Sequence, residues 1–298
     1  MERALILGST CLDVIINIDH LPKTEEDLHP SSQTMSLGGC AFNVSNIVRL
    51  MGAPYLHMNP VGTGLYGNYV ALMLEERGVP IAVRVPDRDN GCCYCFVEKG
   101  GERTFLSYHG VEYTFEESWM EPYSDSPFGM VYICGLEIEE PTGENILSYL
   151  EKHSEQTVCY APGPRGINVD PSRQERIFRL HPMLHLNEQE AYALSGENTV
   201  MSAARALNTR TGGTVIITLG KNGCACLDAA DGSFYTVPPA PDPERIVDTI
   251  GAGDAHVGAV IAGLTLGRPL RDCLEYANRV SAAILSVEGA ILPARLLP

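Results

Sequence analysis

The run Asp248-Thr249-Ile250-Gly251-Ala252-Gly253-Asp254 is followed at once by an apolar helical stretch, and it joins a glycine-rich turn to a carboxylate. Two glycines keep that turn free of side chains at the mouth of a helix. First-turn N–H groups there have no intrahelical partner and together attract an anion such as phosphate. A carboxylate on the rim of such a site repels the anion unless it acts on something beside it. Phosphoryl transfer supplies that role. Asp254 would orient an acceptor hydroxyl and take its proton, while the amides of Gly251, Ala252 and Gly253 hold the developing negative charge. The structural alternative is an acidic residue well placed against the helix dipole.

These residues need a scaffold, and the chain alternates short apolar runs with helical patterns in the manner of parallel βαβ units. Ala4–Gly8 reads as a buried strand, and Gly39–Met51 as a helix with Ala41, Val44, Val48 and Met51 on one face. The alternation continues through a strand at Tyr55–Val61, a helix around Tyr69–Arg77 and a strand at Ile81–Val85. Beyond these come Met130–Cys134, Thr142–His153, Thr157–Tyr160, Leu184–Leu186, Val200–Asn208 and Thr214–Leu219. Two helices, Ala255–Leu266 and Leu270–Ser286, close the chain. Residues 14–37 and 92–108 break the rhythm: both read as hairpin strands without helices. They suit either a small accessory sheet acting as a lid or a plain antiparallel edge. The reading is one domain, residues 1–298, with a flap.

The formal net charge of −16 argues against nucleic acid or an anionic membrane as the main partner. No stretch approaches the ~20 apolar residues of a membrane span, and the N-terminal apolar run is too short for a signal peptide; the cytosol is the default. Ten cysteines contain a single formal C-x-x-C, Cys92 and Cys95, with no second pair to complete a zinc site, and most lie in apolar runs, so reduced, buried thiols are expected rather than zinc ligands or disulfides. Gly62-Thr63-Gly64-Leu65-Tyr66-Gly67, with Asp87 about twenty residues on, is a formal dinucleotide fingerprint, which makes an NAD-dependent dehydrogenase the rival enzyme class. Pro60 weakens it by removing a ladder donor from what should be a central strand.

Several separated segments line up with the glycine-rich turn. Gly8-Ser9-Thr10-Cys11-Leu12-Asp13 ends the first strand with a carboxylate. Gly38-Gly39-Cys40-Ala41-Phe42-Asn43 opens a helix with a glycine pair and an amide. Asn187-Glu188-Gln189-Glu190 starts a later helix, and Thr218-Leu219-Gly220-Lys221-Asn222-Gly223 is a turn after an apolar strand. Together they resemble the ribokinase/PfkB family of carbohydrate and nucleoside kinases over essentially the whole chain. G-G-x-x-x-N near the start with D-T-x-G-A-G-D near the end is far more specific than either half.

The resemblance implies a doubly wound, mostly parallel three-layer α/β/α sandwich with a small β lid. It implies ATP-dependent phosphorylation of a hydroxymethyl group on a sugar or a nucleoside. Position by position, it implies Asp13, Gly39 and Asn43 as substrate contacts, beside a plain helix-capping reading of Gly39 and Asn43, and Glu137 as either a further contact or a solvated side chain. Arg165, in a stretch similar to D-P-G-P-R, is available to a phosphate or carboxylate. Asn187 and Glu190 would organise Mg²⁺ through water, beside a plain N-cap reading of Asn187. Thr218 and Gly220 would contact the nucleotide, Gly223 would shape the turn near it, and Asn278 would lie near adenine. Asp254 would be the base. Asp248 and the Val287–Ala290 loop would hold a monovalent cation, K⁺, behind the anion hole. A lid of this kind also suits a lid-to-lid homodimer. The departures are Gly64 and Ala161, where aspartates are usual, Asn90 in place of a threonine, and His256 two residues after the base. Outside enzymes the rival is a sugar sensor without turnover, which gains nothing from Asp254.

Overall fold

The structure, a computed structural model, describes residues 2–241 and 243–298. Strands and helices are numbered in chain order. Strand β1 (Arg3–Leu7) leads into a hairpin, β2 (Cys11–Asn17) and β3 (Ser32–Gly38), and then helix α1 (Cys40–Leu50). β4 (Tyr55–Met58), β5 (Pro60–Gly62), α2 (Leu65–Glu76) and β6 (Val83–Val85) precede a second hairpin, β7 (Cys92–Val97) and β8 (Arg103–Tyr108). β9 (Phe128–Cys134), α3 (Gly135–Glu139), α4 (Gly143–Lys152), β10 (Thr157–Ala161), α5 (Pro171–Phe178), β11 (Met183–Asn187), α6 (Glu188–Ser195), α7 (Val200–Thr211) and β12 (Val215–Thr218) restore the alternation. β13 (Cys224–Leu227), β14 (Phe234–Val237), α8 (Ala252–Thr265) and α9 (Leu270–Ile284) follow.

Eight strands form the main sheet in the order β14-β13-β12-β11-β10-β9-β1-β4. The six from β12 to β4 are parallel, and β13 and β14 extend the edge antiparallel. Strand pleating sends alternate residues of β1 to opposite faces. Leu5 and Leu7 pack on the α4, α5 and α7 side with Ile146, Ile177 and Leu207. Ala4 and Ile6 pack on the α1, α8 and α9 side with Val44, Val260 and Leu274. This is the three-layer α/β/α sandwich. The chain leaves β1 toward β4 and later returns on its other side through β9. That reversal is the topological switch point of an open parallel sheet, where ligands settle beyond the carboxyl ends of the strands.

The two hairpins do not extend that sheet. They join as a separate four-stranded sheet, β3-β2-β7-β8, whose base buries Leu12, Val14 and Leu37 against α2 and Phe42. Asp13 therefore sits within β2, opposite Ser36, and not at the end of the first strand as expected. The Tyr55–Val61 strand is also two strands. The Asn59 side chain turns the chain by accepting from Ala82 N (3.0 Å), and Pro60 begins a short ladder with β6. The β13–β14 hairpin and α5 were not foreseen; an Asp231-Gly232 turn was the available signal for the first. All ten cysteines are free thiols, buried except for the half-buried Cys40 and Cys93.

Helix α8 crosses α1 at Gly258. A Cβ there would lie 2.9 Å from Val44 O and 3.0 Å from Ile47 Cβ. Helix propensity alone would favour Gly258→Ala by about 0.5–1 kcal/mol, but overpacking costs about 1–3 kcal/mol. Net destabilisation is expected, with a Tm lowered by roughly 2–4 °C per kcal/mol for a chain of this size. A melt at or above the parental Tm would show that the crossing relaxes without cost.

Candidate active site

At the start of α8 the sequence places its carboxylate on a helix lip. Gly251 caps the helix with φ 74°, a left-handed conformation, and a Cβ there would strike Ala290. Gly253 and Asp254 lie within the first turn, so their N–H groups have no intrahelical acceptor, whereas Ala252 N leans toward Thr249 O at 3.4 Å. Nothing stands within 4 Å of a Cβ built on Gly253, which therefore opens onto free space. Asp254 Oδ2 accepts from Asn43 Nδ2 at 2.8 Å. Burial pushes the Asp254 carboxyl up to about 6, against the opposing hydrogen bonds from Asn43 and Cys40. Asn43 Oδ1 is buried without a partner, an acceptor left for a hydroxyl.

The glycine pair ahead of α1 has a steric cause. A side chain at Gly38 would collide with the Asp13 carboxylate, and one at Gly39 (φ 99°) would meet Ser9 O and Cys11 N. Their absence lets β3 and α1 close against the β1–β2 connection and leaves the Asp13 carboxylate lying against Gly38. Among the described residues no hydrogen bond engages the Asp13 carboxylate, and burial raises it to about 6. Glu137 does not join it. Its Oε1 accepts from Ser9 N (2.9 Å) and its Oε2 from Cys134 Sγ (2.8 Å), so a side chain expected to meet substrate is a buried tie beneath the site.

Two cavities meet at the α8 turn. One, of about 770 Å³, is lined by Cys40, Asp254, Asn187, Glu190 and Arg165; the other, of about 1050 Å³, by Gly220, Gly223, Pro239, Thr249 and Asn278. Thr218 and Gly253 line both. The second runs from the Gly220–Gly223 turn to the start of α8 and the α9 side chain Asn278. Gly220 and Gly223 take positive φ there, and a Cβ at Gly223 would strike Val237 O. Asn278 Nδ2 donates to Pro238 O (2.9 Å), fixing the Pro238–Pro239 wall.

Behind Asn278 lies a chain that sequence reasoning missed. His256 Nε2 meets Asn278 Oδ1 at 3.2 Å, and His256 Nδ1 meets His185 Nε2 at 2.8 Å. Because the Asn278 amide donates to carbonyls, its oxygen must accept from His256. His256 Nδ1 then accepts from His185. Burial lowers His256 to about 4 and His185 far below its ordinary value, so both rings stay neutral and the chain keeps one direction. Only the oddity of His256 in the motif pointed here.

At the start of α6, Asn187 and Glu190 form a reciprocal capping box. Asn187 Oδ1 accepts from Glu190 N (2.8 Å) and Glu190 Oε2 accepts from Asn187 N (2.9 Å). The N-cap reading holds, and both residues also line the first cavity. Among the described residues no group of three or more His, Cys, Asp or Glu could hold a metal directly. The hard oxygens of Asn187 and Glu190 fit a Mg²⁺ ion kept at a distance by water. Arg165 is not free as expected: its Nε donates to Glu139 Oε2 (2.7 Å) and its Nη2 to Glu139 Oε1 (2.5 Å).

Asp248 departs most from expectation. Arg103 of β8 donates to its carboxylate with both terminal nitrogens, at 3.1 Å each, while Ile250 N and Gly289 N supply two more bonds. Burial would push the carboxyl up, yet Arg103 and the two amides hold it below the usual range. An ion-paired carboxylate with every oxygen engaged does not fit a monovalent cation. The G-x-G-x-x-G turn is likewise filled. Asp89 accepts from Tyr66 N and Gly67 N at the mouth of α2 and occupies the space of a Gly64 side chain. With a carboxylate already on that helix mouth, a pyrophosphate has no place.

The chain matches the pfkB family carbohydrate kinases over residues 1–296. It is 30% identical over 294 residues to an uncharacterised sugar kinase of Escherichia coli, covering 97% of this chain and 90% of that one. It is 24% identical over 295 residues to the ketohexokinase of Mus musculus, covering 97% of each. The crystal structure of ribokinase from Thermotoga maritima superposes with a TM-score of 0.84 at 21% identity, covering 100% of this chain and 96% of that one.

A carboxyl raised from its ordinary value of 3.8 to about 6 opposes folding when ionised. The strain is absent below about pH 4, grows through the interval and is complete above about pH 6. Asp254→Asn keeps an acceptor for Asn43 and removes the charge. It should therefore stabilise the fold by up to about 3 kcal/mol at pH 8 and by almost nothing at pH 4, read from denaturant melts. An Asn variant less stable at pH 8 would contradict the burial of an unpaired charge.

Proposed function

This chain belongs to the pfkB family of carbohydrate kinases, and on that premise we propose that it moves the γ-phosphoryl group of ATP to a hydroxymethyl oxygen of a sugar. One observation carries the reading. Asp254, held by Asn43 and raised toward neutrality, stands at the helix mouth where two cavities meet, both lined by Thr218 and Gly253.

In this reading the acceptor lies between Asp13, the open Asn43 Oδ1 and Asp254, and a carboxylate with no protein donor suits a vicinal diol. ATP lies along the Gly220–Gly223 turn against the Asn278 wall, with its terminal phosphate toward Gly253. Asp254 orients the acceptor hydroxyl and takes its proton, and the first-turn amides of α8 receive the developing charge. Mg²⁺, arriving with the nucleotide near Glu190 and Asn187, would neutralise phosphate charge. The four-stranded sheet serves as the lid over the acceptor. The exposed Phe105, Leu106 and Tyr108 of β8 suit a second copy of the sheet, as in a lid-to-lid dimer. A cytosolic setting goes with ATP as donor.

The test is a coupled assay with Mg·ATP over pentoses, hexoses, sugar acids and nucleosides. Asp254→Asn should lower turnover by about 10²–10⁴ with nucleotide affinity nearly intact; near-normal turnover would remove Asp254 as the base. Asp13→Ala should raise the acceptor KM and leave that of ATP almost unchanged. Because Asp13 and Asp254 both titrate at about 6, log kcat/KM should fall below pH 6 with a slope between one and two. A profile flat to pH 5 would show that neither carboxylate must be ionised.

A further inference from the structure

Among the described residues, one Lys or Arg ion pair joins the four-stranded sheet to the body of the protein: Arg103 to Asp248. Arg103 is the first residue of β8, paired with Val97, and its side chain is 30% exposed; the Asp248 carboxylate is 5% exposed. The two segments held by that carboxylate frame the cap of α8. Asp248 Oδ1 binds Ile250 N, the residue before Gly251, and Oδ2 binds Gly289 N, the residue before Ala290, against which Gly251 packs. A planar guanidinium with two parallel bonds fixes a carboxylate in angle as well as position, which a spherical ion does not.

We propose that Arg103 is a tethered cation that takes the place of a monovalent ion behind the anion hole. It makes the orientation of the Gly251–Gly253 amides depend on the seating of the lid sheet over the body. The proposal rests on the kinase reading. Arg103 touches no reacting atom; it is a positioning residue that acts through Asp248. With the sheet seated, the guanidinium completes the support of the loop. With the sheet lifted, Asp248 keeps only its two amides and the cap loses one side of its frame. Catalysis would then be armed by lid closure and indifferent to K⁺.

The experiment measures initial rates at saturating Mg·ATP and acceptor in KCl, NaCl and tetramethylammonium chloride at matched ionic strength, for the parental chain, Arg103→Ala and Arg103→Lys. The parental rates should agree within about 2-fold in all three salts. Arg103→Ala should lose roughly 10-fold or more in kcat in tetramethylammonium, with the acceptor KM far less affected, and should regain rate in K⁺ or with added guanidinium ion. Arg103→Lys, keeping the charge but not the fork, should fall between. Parental activation by K⁺ of several-fold, an unchanged kcat in Arg103→Ala, or a loss that no small cation repairs would each overturn the proposal. Should the Ala variant fail to fold, Arg103→Lys in the same salts decides. If the parental chain phosphorylates no acceptor, the kinase reading fails, and melting temperatures take over. K⁺ raising the Tm of Arg103→Ala but not of the parent supports the tether, and any other pattern overturns it.

Discussion

The hydrogen bond from Asn43 to Asp254 is the constraint around which the molecule is arranged. A carboxylate kept half out of water would otherwise swing toward solvent, so it needs a donor that comes from a rigid element and leaves one oxygen free. Asn43 meets both conditions because it lies on α1, which packs directly against α8. The distance between those helices is set by the tight crossing at Gly258 and by the apolar layer of Val44, Ile47, Val260 and Leu274. The sheet supplies the platform, but the helix pair supplies the geometry.

Much of this was legible in the sequence because it is written in backbone terms. Gly251, Gly39 and Gly223 announce conformations that other residues avoid, and the alternation of apolar runs announces a parallel sheet. Asp254 and Asn43 were identifiable by type and position. The partners of polar groups were not. Glu137 bonds a backbone amide 128 residues away and Arg103 reaches 145 residues to Asp248, and no periodicity reports such pairings. The pairing of Arg165 was hidden for the same reason, since its answering charge, Glu139, lies on another element. Asp13 was misplaced because a β-strand that turns into a second sheet has the same pattern as one that ends.

The dinucleotide-like turn shows how a motif can be right in outline and wrong in chemistry. Strand, glycines and helix are all present, and so is an anion at the helix mouth; that anion is the protein's own Asp89. The same carboxylate fills the volume left by Gly64, so the departure at position 64 and the failure of the fingerprint have one cause. The neutral His185–His256–Asn278 chain carries a related lesson. His256 and Asn278 were visible singly and His185 was not, and their common direction depends on which way the Asn278 amide faces, a fact of the folded state.

The crossing at Gly258 has a consequence for how this protein can change over generations. The residue lines neither cavity, yet its backbone lies against Val44 and Ile47, one and four positions beyond the amide that holds Asp254. Exchanges in the hairpins leave this crossing untouched, whereas a side chain at position 258 demands a displaced or smaller partner at Val44 or Ile47 across the helix pair. On the proposed function, acceptor preference is then to be altered through β2, β7 and their turns, which leaves the spacing of Asn43 and Asp254 as the helix pair sets it.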